Sequence, residues 1–138
     1  MTGVTRRGWA GEGGGTVRLM TDSFSAAVAR LRDLGEDAEL VSGIHSNDSL
    51  SWRHVWVELA GNAHDFAEGR SLIVPTGIFN MAMRVQDRVA MPGAEVLRVL
   101  GELDSQTRTA ARRSLLQLMR RLHLAPPASL RFMALWHR

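Results

Sequence analysis

The sequence predicts an α+β fold, with an N-terminal helix on a small antiparallel sheet and further helices toward the C-terminus. Three observations carry this expectation. Apolar residues recur at three- and four-residue steps between Asp22 and Leu34. Apolar and polar residues alternate from Ser51 to Leu59, and a tight-turn sequence follows them. From Gly93 onward the helical step returns. With 138 residues and 45% apolar content, the chain suits one domain around one core.

The elements follow in order. Residues 1–16 contain the run Gly11-Glu12-Gly13-Gly14-Gly15, which costs entropy to order and buries little surface. A mobile tail is expected there, ahead of a domain spanning 17–138. Thr21 or Asp22 is placed to cap the first helix, whose apolar face holds Phe24, Ala27, Val28, Leu31 and Leu34. Gly35 is placed to end it. Ala38–Ile44 reads as a strand. Ser51–Leu59 is a stronger one, with Arg53, Val55, Val57 and Leu59 on one face and Trp52, His54, Trp56 and Glu58 on the other. Ala60-Gly61-Asn62 is a turn sequence, returning the chain along Ala63–Phe66. Ser71–Val74, before Pro75, is a fourth strand.

Gly93 to about Glu102 is a helix. Asp104 or Ser105 caps a longer one reaching about Leu124, with an apolar stripe of Leu115, Leu116, Met119 and Leu122. Arg112, Arg113, Arg120 and Arg121 flank that stripe, and Pro126-Pro127 stops the helix. The apolar segment Leu130–Trp136 has no clear periodicity. The C-terminal helices are expected on the side of the sheet opposite the N-terminal helix.

Composition narrows the chemistry. The chain has no cysteine, which rules out disulfides, zinc–thiolate centres and thiol catalysis by these residues. All 17 basic residues are arginine, which places the pI near 11.1 beside a net charge of only +3. So small a charge does not by itself imply nucleic acid. No apolar run approaches the roughly 20 residues of a membrane span. Arg6 and Arg7 are not followed by an apolar stretch, so no signal peptide is expected, and a cytoplasmic location follows by default. His45, His54 and His64 match no common zinc spacing, so neither a metal nor a cofactor is expected.

The informative stretch is Ala38-Glu39-Leu40-Val41-Ser42-Gly43, then His54-Val55-Trp56-Val57-Glu58, then Asp65. His54 and Trp56 share a strand face. A hairpin turning about Gly61 brings Asp65 close to His54 or to its diagonal neighbour. A carboxylate beside an imidazole fixes its tautomer and stabilises its protonated form. That supplies two members of a catalytic triad.

In this order of elements the chain resembles the transglutaminase-like branch of the papain-like cysteine peptidases. The short His-to-Asp spacing is most similar to the leader peptidases of lasso-peptide biosynthesis. The likeness covers about residues 20–75. It implies a papain-like sheet with a nucleophile near the start of the 22–34 helix, where the dipole favours a thiolate. The matching window, Met20 to Ser23, holds no cysteine, and Ser23 is its only hydroxyl suited to attack. Serine ionises far less readily than cysteine and needs His54 as a general base.

Two functions follow. The first is a degenerate transglutaminase-like domain that binds a peptide or protein in the former active-site groove, lined by Trp52, His54, Trp56, Glu58 and Asp65. The second is an amide hydrolase or acyl transferase. Its Ser23, or a cysteine replaced there, attacks the carbonyl, His54 moves the proton and Asp65 orients the imidazole. A third reading, disfavoured by the modest charge, is a nucleic-acid-associated regulatory protein using the arginine-rich helix. The Leu115 stripe and the apolar C-terminus suit a homodimer as well as a core.

Overall fold

The computed structural model describes residues 14–124, with side chains from Ser23 onward. Helix α1 spans Gly14–Leu34, strand β1 Glu39–Ser46, β2 Ser51–Leu59 and β3 Asn62–Asp65. A 3-10 turn at Ala67–Gly69 leads to β4, Leu72–Pro75. Then come α2 at Thr76–Ala82, β5 at Gln86–Pro92, α3 at Gly93–Leu103 and α4 at Arg108–Arg121. The strands form one five-stranded sheet in the order β4-β3-β2-β1-β5, with antiparallel neighbours throughout. The α+β class is as expected.

Local chemistry explains the connections. Gly35 sits at φ +92° and its N–H reaches Leu31 O at 2.8 Å, closing α1 with a left-handed glycine cap. Between β1 and β2, Asn47 Oδ1 accepts the N–H groups of Ser49 and Leu50 at 2.8 and 2.9 Å. Leu59 pairs with Asn62, so Ala60 and Gly61 form a two-residue loop. Their φ values of +52° and +83° are the signature of a type I′ turn, whose twist matches that of the strands.

The sheet divides the core. Phe24, Val28 and Leu31 of α1 pack on Leu40, Val55 and Val57, together with Val96 and Leu100 of α3 and Leu115 and Leu118 of α4. Val41, Trp56, Ala63 and Phe79 form a smaller cluster on the other face, where α2 lies. The expectation that C-terminal helices cover the face opposite α1 is therefore corrected: α1, α3 and α4 share a face. The turn at Gly93 brings this about. Its N–H donates to Ala38 O at 2.7 Å, and a Cβ there would stand 2.3 Å from that oxygen, so only glycine lets α3 leave the sheet so closely.

Other boundaries moved. Helix α1 begins at Gly14, so Thr21 and Asp22 lie inside it instead of capping it. Residues 14–16 of the expected tail belong to this helix, and residues 1–13 lie outside the described residues. Thr107, not Asp104 or Ser105, caps α4: its Oγ1 accepts Ala110 N–H at 3.2 Å. Helix α4 ends at Arg121, before Pro126-Pro127, and the Leu130–Trp136 segment lies outside the described residues. Helix α2 and strand β5 fill a stretch for which the sequence predicted no element.

Candidate functional site

The hairpin of β2 and β3 sets the site. Its register opposes Val57 to His64, which places Asp65 one step beyond, diagonal to His54 on the α2 face. His54 Nε2 lies 3.1 Å from both Asp65 oxygens. An ionised carboxylate only accepts, so Nε2 carries the proton and Nδ1 is left as the second ring nitrogen. Asp65 Oδ1 also accepts Ala67 N–H at 3.2 Å, and Oδ2 accepts Arg70 Nη2 at 3.0 Å. Burial works to raise the Asp65 pKa. The hydrogen bond from His54, the charges of His54 and Arg70 and the Ala67 N–H outweigh it, and the carboxyl titrates below its ordinary value.

An aromatic bed supports this pair. The His45 ring on β1 sits 4.5 Å from His54, 4.9 Å from Trp56 and 5.3 Å from Phe79, centroid to centroid. Trp52 meets His45 edge-on at 5.9 Å. Burial, then the neighbouring His54, lower the His45 pKa to about 3, so the ring is neutral. Among the described residues its Nε2 has no hydrogen-bond partner. Gly43 makes room for the bed: a Cβ there would approach the Trp56 ring to 2.9 Å.

The remaining expected residues are placed as follows. Trp56 is fully buried, and its Nε1 donates to Glu58 Oε2 at 3.0 Å. Glu58 is also paired with Arg88, so it anchors the indole from below the surface. Trp52 is half-buried and is the member of the expected groove that reaches solvent. Ser23 is buried inside α1, and its Oγ accepts Val55 N–H at 3.2 Å. It belongs to the helix on one face of the sheet, whereas the His54 ring projects on the other. His64 also lies on the α1 side, where Arg30 Nη2 stands 3.1 Å from its Nδ1. Burial, then Arg30, lower the His64 pKa.

Sequence reasoning missed His45 and Arg70 as parts of this site. The hairpin register pairing His45 with Trp52 was the available signal for the first. Arg70 arrives through the 3-10 turn, whose shape has no periodic signature. Among the described residues no cluster suited to a metal ion is present. No described helix is long and apolar enough to cross a membrane. No known family, characterised protein or solved structure matches the chain.

Proposed function

We propose that the chain is a degenerate transglutaminase-like domain that binds a peptide or protein at the His54–Asp65 end of its sheet. One observation carries the reading: an acid–imidazole pair is complete while its expected nucleophile is built into the scaffold. Ser23 stands more than two turns inside α1, where the helix dipole has little effect on it, and its oxygen accepts a backbone N–H of β2. His54 and Asp65 are buried, with the partly exposed Arg70 against Asp65 and the half-buried Trp52 against His45. Arg70 Nη2 is committed to Asp65, while Nη1 meets the exposed Glu68 only loosely at 3.7 Å, a contact that a partner's carboxylate or carbonyl can replace.

The rival reading is an amide hydrolase or acyl transferase using Ser23, His54 and Asp65. Two probes separate them at neutral pH: a serine-directed acylating probe on the native chain, and a thiol-directed one on Ser23→Cys. The binding reading expects no label that depends on His54. It also expects peptides selected by display on the native chain to lose affinity for Trp52→Ala and Arg70→Ala. Labelling at position 23 that disappears in His54→Ala would establish the enzyme and end the binding proposal.

A further inference from the structure

The charges of α4 are distributed unlike those of the rest of the surface. Arg53, Arg70, Arg84, Arg88, Arg98 and Arg121 each meet a carboxylate. Arg108, Arg112, Arg113 and Arg120 do not: among the described residues none of these four side chains makes a hydrogen bond or an ion pair. They are exposed on α4 and line a cavity of about 420 Å³ whose apolar wall is Leu116. The opposite stripe of the same helix, Ala111, Leu115, Leu118 and Met119, is spent on the core. Helix α4 therefore has a second, outward face with one apolar residue between unpaired cations. From Arg108 to Arg120 it runs about 18 Å.

We infer that this face docks an acidic amphipathic helix of a partner protein. Four cations along three turns repel one another until a partner supplies anions. Residues 125–138, which follow α4, do not supply them, since they contain no Asp or Glu and two further arginines. A second copy in a two-fold arrangement would set the same cations against each other. The partner must therefore be anionic. Leu116 in the centre favours a ligand with apolar side chains between its acids, as a helix pair provides with an apolar seam and flanking ion pairs. A phosphodiester backbone offers nothing to Leu116, and no aromatic side chain is among the described residues lining the cavity to stack a base.

The test uses the full chain and a fluorescein-labelled peptide of about three heptads, with Leu at the seam positions and Glu and Gln elsewhere. Anisotropy should show saturable binding that weakens with added salt. The same peptide with Lys for Glu should not bind. Arg112→Gln with Arg113→Gln should weaken binding about fivefold. Leu116→Gln should weaken it while leaving the weak, salt-sensitive association with polyglutamate unchanged. Far-UV circular dichroism checks that each variant keeps its helix content. Absence of saturable binding, indifference to the arginine substitutions, or tighter binding of a DNA duplex than of the peptide overturns the proposal. The last result would give the face to nucleic acid.

Discussion

Protonating His45 places a charge among Trp52, Trp56, Phe79 and the His54 ring, and its Nε2 has no hydrogen-bond partner among the described residues. The folded pKa near 3 lies below the ordinary 6.5, so between these values the unfolded chain binds a proton that the folded chain refuses. Stability must therefore rise with pH across that window, at up to about 1.4 kcal/mol per pH unit from this one group. Replacing the ring by His45→Phe keeps the aromatic bed and removes the proton. Urea unfolding of the variant should show a flatter dependence on pH between about 4 and 6 than the native chain. An unchanged slope would assign the acid sensitivity to other groups. Asp65, whose pKa is lowered from 3.8, acts in the same direction but further into acid: its stabilisation is present above 3.8 and lost as pH falls through the lower folded value. At this scale the sequence showed His54 and Asp65, because a two-residue loop fixes the register and hence the diagonal. It did not show His45 or Arg70 in the site, since each depends on how a separate segment lies against that hairpin.

Turn chemistry governs the elements. Ala60 holds φ +52° with a Cβ that the left-handed region penalises, in a loop type that favours asparagine or glycine. Ala60→Asn should therefore stabilise the chain by about 0.5–1 kcal/mol, read as a higher urea midpoint with unchanged m-value. A lower midpoint would mean that the exposed methyl serves a contact beyond the turn. The elements that the sequence showed well are those with long, clean periodicity: β2, and the C-terminal part of α1. Helix α2 escaped because it has seven residues, a glycine at its second position and no side-chain cap. Strand β5 escaped because it opens with Gln86, Asp87 and Arg88, all exposed on a sheet edge, so that its alternation is visible only near Met91. The start of α1 was hidden by glycines, each of which weakens a helical prediction by about 1 kcal/mol.

Taken whole, the molecule keeps its two faces for different purposes. One side of the sheet holds the large apolar core with α1, α3 and α4, and the other holds the aromatic bed and the His54–Asp65 pair under α2. The sequence predicted the class and the pair, but not the sharing of one face by three helices. That arrangement depends on a single close approach, Gly93 against Ala38 O, which no hydrophobic pattern records.

The strand order also has a temporal meaning. From β1 to β4 every neighbour in the sheet is the next strand in the chain, whereas β5 must come back past all of them to pair with β1. Closing that long loop costs more entropy than closing any hairpin. The meander should therefore assemble early and β5 should attach after the rate-limiting barrier. Stopped-flow measurements on Met91→Ala, which trims the buried side chain of β5, should then show faster unfolding with a nearly native folding rate. A slowed folding limb would place the far edge in the nucleus.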